Sequence, residues 1–147
     1  MKTFIALSML VSSIAMANPI CYKALNPQNI EIKVLDSEIS EKATSAAVKL
    51  DWTRSVDENG LTVYPSLALN AKSKGLQFDT VAMQLDKGDK SFGVDCDGGH
   101  VMVQESNGLL VLSTVYLAGE IKMGGEGCSE GSVSFKKLYL KKVSCSK

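Results

Sequence analysis

The chain has 147 residues, with sixteen basic and sixteen acidic side chains, one histidine, four cysteines and 45 % hydrophobic residues. This is the length of one domain with one core. The charge balance supplies no net positive field of the kind that nucleic acid or an anionic membrane attracts, so nucleic acid is not an expected partner.

The first residues, MKTFIALSMLVSSIAMA, place Lys2 before an apolar run over 4–16 and small residues at Ala15 and Ala17. That is the layout of a secretory signal peptide, cleaved after Ala17, and it leaves one β domain over 18–147 in the periplasm or outside the cell. The apolar run is shorter than the roughly 20 residues a membrane-spanning helix needs, so no membrane span is expected. Ile20 stands before Cys21 where a lipoprotein signal would carry Gly, Ala or Ser, which favours a free, soluble protein.

After the leader, alternation of apolar and polar residues dominates over helical period. Residues 30–34 alternate through Ile30, Ile32 and Val34, and a short helix is the expectation for 37–44, after Asp36 and Ser37. Runs at 47–54 and 61–69 flank Asn59-Gly60 and predict a first hairpin, with Trp52 as a core or barrel-end aromatic. A second hairpin joins 76–85 to 91–96 through Asp86-Lys87-Gly88-Asp89, and a third joins 101–105 to 109–117 around Asn107-Gly108. The glycine-rich piece 119–131 reads as a mobile loop pinned at Cys128. In the last run, 132–143, Val133 and Phe135 share one phase and Leu138 and Leu140 the other. One extra residue at Lys136-Lys137, a β-bulge, would return both pairs to one face. About eight short strands joined by hairpins predict an all-β fold, a small antiparallel barrel or a sandwich, with consecutive hairpins favouring the barrel.

Four cysteines in an exported chain suit two disulfides. Three pairings are open, of which Cys21 with Cys145 and Cys96 with Cys128 are expected to staple the domain. The spacings lack a C-x-x-C pair, which argues against zinc.

The densest stretch of polar chemistry is VDCDGGHVMV, residues 94–103, with Asp95, Asp97 and His100. Asp, Gly and Gly between two alternating runs meet the needs of a turn. A calcium loop would need ligands at fixed alternate positions, and His100 as a base would need a nucleophile that the sequence does not supply. No metal, cofactor or catalytic residue is therefore expected. Cys96-Asp-Gly-Gly-His-Val-Met-Val103 resembles the C-x-x-G and alternating-strand signature of periplasmic inhibitors of C-type lysozyme. That resemblance spans about eight residues, implies a small disulfide-bonded β-barrel and carries over no functional residue.

The functional expectation is a binding protein of the cell envelope or exterior, without enzymatic activity, that captures or inhibits a protein partner. Its candidate binding loops lie at one barrel end, over 86–91 with Asp86, Asp89 and Lys90, and over 119–131 with Lys122 and Glu126. The alternative partner is a small apolar ligand carried in the barrel interior, followed by a small outer-membrane barrel or an enzyme. Lys136-Lys137 and Lys141-Lys142 read as edge-protecting lysines or as a ridge for an acidic partner.

Overall fold

The computed structural model describes residues 19–51, 55–56, 58–60, 62–63, 66–84, 91–93, 99–123 and 128–145. Residues 1–18, which hold the expected signal peptide, and Trp52, Asp86, Asp89, Lys90, Asp95, Cys96, Asp97 and Glu126 lie outside these residues. In chain order the strands are β1 (Ile20–Ala24), β2 (Glu31–Val34), β3 (Ser40–Lys42), β4 (Ser45–Asp51), β5 (Ser55–Val56), β6 (Thr62–Val63) and β7 (Ser66–Lys72). They continue through β8 (Leu76–Gln84), β9 (Ser91–Gly93), β10 (His100–Ser106), β11 (Leu109–Met123) and β12 (Cys128–Val143), with a 3-10 turn at Pro27–Asn29.

All the pairings are antiparallel, and they form one large sheet and the small β5–β6 pair. In the large sheet β1 pairs with β4 on one side and with β12 on the other, so the order β1-β4-β7-β8-β9-β10-β11-β12 returns to its first strand. β2 continues along the same edge of β12 that β1 uses: Cys21 stands opposite Val143 and Ala24 opposite Leu140, then Ile32 opposite Val133 and Val34 opposite Gly131. The 3-10 turn interrupts this line. Asn26 bridges the gap, its amide donating to the Lys137 carbonyl at 3.2 Å while its Oδ1 accepts from the Tyr139 N–H at 2.8 Å.

β8 and β11 meet directly only at one end, where Leu76 pairs with Met123 and Asp79 with Glu120. At the other end the β9–β10 hairpin is inserted between them. The fork opens where Gly99 bridges Leu117. Gly99 has φ +95°, and a Cβ there would lie 2.2 Å from the Tyr116 carbonyl oxygen, so the backbone of the fork excludes any side chain. Around VDCDGGHVMV, Gly93 pairs with His100 and Val101 restarts a buried alternation, while the expected turn at 94–98 lies outside the described residues.

Alternation explains the core. Ile30, Ile32 and Val34, then Ala46, Val48 and Leu50, then Leu67, Leu69 and Ala71 all face one side, where they meet Phe78, Leu117, Ile121, Leu138 and Leu140 in a single buried cluster. The bulge expected in the last strand is present. Ser113 pairs with Lys137 and Thr114 with Phe135, so Lys136 is the extra residue, and Val133, Phe135, Leu138 and Leu140 are all buried. The Asn107-Gly108 hairpin closes with both residues at positive φ, as a two-residue turn requires.

Two expectations about local structure fail. Residues 37–44 form no helix; β3 pairs with β2, Lys33 opposite Ser40 and Glu31 opposite Lys42, after a turn that contains Asp36 at φ 53°. A hairpin buries Ala43 and satisfies the free edge of β2, which a two-turn polar helix would not do. Within the expected 119–131 loop, 119–123 and 128–131 are strand instead: Gly119 pairs with Gly131 and Ile121, fully buried, with Ser129, while 124–127 lie outside the described residues. Gly119 and Gly131 serve close packing, because a Cβ at Gly131 would lie 2.1 Å from Ile121 Cδ1 and one at Gly119 would lie 2.6 Å from the Phe78 ring. Among the described residues there is one disulfide, Cys21–Cys145, rather than two; the expected Cys96–Cys128 bridge involves a residue outside them. No helix among the described residues is long and apolar enough to cross a membrane.

Candidate functional site

The end of the sheet where β8 meets β11 is the best-defined site. The β7–β8 connection, residues 73–75, is a tight turn made by its own serine: Ser73 N–H donates to the Leu76 carbonyl at 2.8 Å, and Leu76 N–H donates to Ser73 Oγ at 2.9 Å. Ser-Lys-Gly between two alternating runs carried this turn signal in the sequence. Glu41 on β3 holds the turn from the side, its carboxylate accepting from Ser73 Oγ–H and, at 3.0 Å, from Gly75 N–H. Thr44 N–H adds a 2.7 Å bond to the Lys72 carbonyl. The turn is thereby fixed to an element more than thirty residues distant in sequence.

Beside this clasp lies a shallow cleft of about 300 Å³, bordered by Lys72, Lys74, Leu76, Gln77, Lys122 and Met123. The ladder sets its geometry: Lys72 stands opposite Gln77, and Gln77 opposite Lys122, so two lysines flank an amide across three strands. One row deeper, Asp79 faces Glu120 and Glu120 faces Glu130. The Asp79 carboxylate accepts from the amides of Asn70 and Gln77. Leu35 and Ile39, exposed in the β2–β3 turn, and the exposed Met123 add apolar surface at this end. The cleft end presents point charges, an amide and exposed apolar side chains.

The Ser73 hydroxyl, then the Gly75 N–H and the charge of Lys74, hold the Glu41 carboxyl below the usual carboxylate range. A depressed folded pKa means that the clasp is fully formed above the ordinary carboxylate pKa and is lost as the pH falls through the lowered value. In a ¹H–¹⁵N titration the Gly75 amide is expected to shift with a midpoint below that of a free glutamate. Glu41→Gln should abolish the shift, and an unchanged titration in that variant would refute the clasp.

Of the residues singled out from sequence, Lys122 is in the cleft. Cys21 and Cys145 are bonded to each other, and Cys128 stands opposite Lys122 in the ladder. His100 opens β10 opposite Gly93. Asp86, Asp89, Lys90, Asp95, Asp97 and Glu126 lie outside the described residues. β8 runs from Leu76, beside Met123, to Gln84.

No family model, curated protein or solved structure matches this chain. The reading of function therefore rests on chemistry and geometry alone. Among the described residues no three His, Cys, Asp or Glu side chains gather in a way that could hold a metal ion. At the opposite end of the sheet Tyr22 packs against the core, and burial, followed by the Glu105 carboxylate, raises its phenol pKa.

Proposed function

We propose that this chain is an exported, soluble β-barrel that acts by capturing a protein partner, with the basic cleft end of the barrel as its contact surface. The cyclic strand order supports closure into a barrel, six strands around at the cleft end and eight where the β9–β10 hairpin is inserted. The Cys21–Cys145 bond suits an oxidising compartment, the periplasm or the exterior. A second bridge, Cys96 with Cys128, belongs to the same proposal, with peptide mapping of unreduced protein as its test.

The observation that carries the partner reading is the buried apolar cluster among the described residues. From Ile30 to Leu140 the inward side chains form one continuous buried cluster, and eleven large ones, Phe78 and Ile121 among them, are almost wholly excluded from solvent. A carrier of an apolar molecule needs that space for its ligand. Exposed chemistry lies instead at the cleft end, where Leu35, Ile39 and Met123 accompany Lys72, Lys74 and Lys122. An acidic, partly apolar protein surface fits that set. The reading includes no catalytic step.

The test is site-specific photocrosslinking in the source compartment, with the crosslinker at Lys74 or Met123 and, as a control, at Lys49 on the flank of the sheet. A discrete adduct at the cleft positions that vanishes in Lys72→Glu/Lys122→Glu is expected. Native mass spectrometry that finds a small apolar molecule bound to the chain, with no cleft adduct, would replace this reading with the carrier.

A further inference from the structure

The overall charge balance conceals a local segregation on the outer face of the sheet. Where β1, the end of β12, the start of β11 and β10 lie side by side, the ladder aligns outward residues in rows. Lys23 stands opposite Lys141, and Lys141's neighbour Leu110–Leu140 pair places Leu109 next in that row. In the adjacent row Tyr139 is opposite Val111 and Val111 opposite Gln104, with Leu25 alongside, its N–H donating to the Tyr139 carbonyl at 2.8 Å. The third row runs from Lys137 through Ser113 to Met102.

The outward positions in these rows carry three exposed lysines and no carboxylate. Interleaved with them, Leu25 is 54 %, Met102 57 % and Tyr139 39 % exposed, around a Val111 that points outward yet is only 5 % exposed. The surrounding side chains therefore close over Val111 and form a shallow apolar layer outside the core. Lys136, pushed out by the bulge, adds a fourth exposed cation at the margin.

We propose that this face docks on an anionic lipid bilayer. Charge complementarity selects that occupant. The lysines of this face alternate with apolar tips over a broad stretch of sheet that has, among the described residues, no cleft and no carboxylate in its rows. A headgroup layer accepts that mixture: lysine stems lie along apolar surface with their ammonium groups at phosphate level, and tyrosine has an apolar body with a polar end suited to the interface. Peripheral binding of this kind adds electrostatic attraction to shallow apolar insertion and needs no spanning segment. The face is separate from the cleft, so its occupancy and that of the cleft are independent.

The experiment is flotation of the oxidised mature chain with vesicles of phosphatidylcholine alone or doped with phosphatidylglycerol, at low and high salt. The wild type is expected to float only with the doped vesicles and to be released by salt. Each lysine at an anionic surface strengthens partition about five-fold, so Lys137→Gln/Lys141→Gln should weaken it about 25-fold. Tyr139→Ser should weaken it further, while Lys72→Glu/Lys122→Glu in the cleft should leave it unchanged. Thermal midpoints and the Cys21–Cys145 bond, checked in every variant, separate loss of binding from loss of fold. Equal flotation with both vesicle types, none with either, or equal loss in the cleft variant would overturn the proposal, as would binding of an acidic peptide without any vesicle binding.

Discussion

Gly131→Ala is expected to destabilise the protein by about 3 kcal/mol or more, read as a fall of roughly 10 °C in thermal midpoint. The added Cβ would sit 2.1 Å from Ile121 Cδ1 and 2.4 Å from the Lys33 carbonyl oxygen. The isoleucine tip could move only within a filled core, and the carbonyl belongs to β2, whose register on β12 fixes it. Neither neighbour can yield without disturbing a ladder. Gly75→Ala is the matching control, since its Cβ would approach only the flexible Glu41 carboxylate, at 3.1 Å, and near-wild-type stability is expected. If the two alanine variants melted together, the close approach of β2, β11 and β12 at Gly131 would be refuted.

Removing the Cys21–Cys145 bridge is the second large effect. The bond joins residues 124 apart, and in the chain-entropy account a crosslink of that span stabilises the fold by about 4 to 5 kcal/mol. Cys21→Ala/Cys145→Ala should therefore lower the urea midpoint substantially and steepen the transition, because the denatured chain without the crosslink exposes more surface. The far-ultraviolet spectrum of the folded variant should be unaltered, because β1 keeps its ladders to β4 and β12. A midpoint within experimental error of the wild type would show that those ladders alone restrain the chain ends.

The strands were legible where apolar residues alternated and a turn had glycine at the required place, as at Asn59-Gly60 and Asn107-Gly108. Even the Lys136 bulge could be read, because two buried pairs in opposite phases admit few other geometries. Glycines misled where they served packing. Gly119 and Gly131 look like flexibility in a linear sequence, and only the proximity of Phe78, Ile121 and Lys33 shows why a side chain is excluded there. The 37–44 helix failed for a related reason: the free edge of β2 is a long-range demand that local propensity does not register. Lys122, expected in a binding loop, stands in β11 beside the cleft; Glu41, Lys72 and Lys74 were not singled out, because they converge through strand pairing and carry no shared motif. The lysine face escaped notice for the same cause, since whole-chain charge averages over rows assembled from Lys23, Lys137 and Lys141.

The continuous line of β1 and β2 along β12 also dictates the order in which the molecule can be finished. During synthesis the first strands emerge more than a hundred residues before the strand they must pair with, so neither flank of the cycle can close until the C-terminal segment arrives. Until then β1 can satisfy only its β4 side, and β11 waits with one edge bare. Closure is consequently a late, long-range event of the kind that makes β proteins slow to fold and vulnerable to edge-to-edge aggregation. Truncation of the last sixteen residues should thus leave an aggregating chain rather than a smaller folded one.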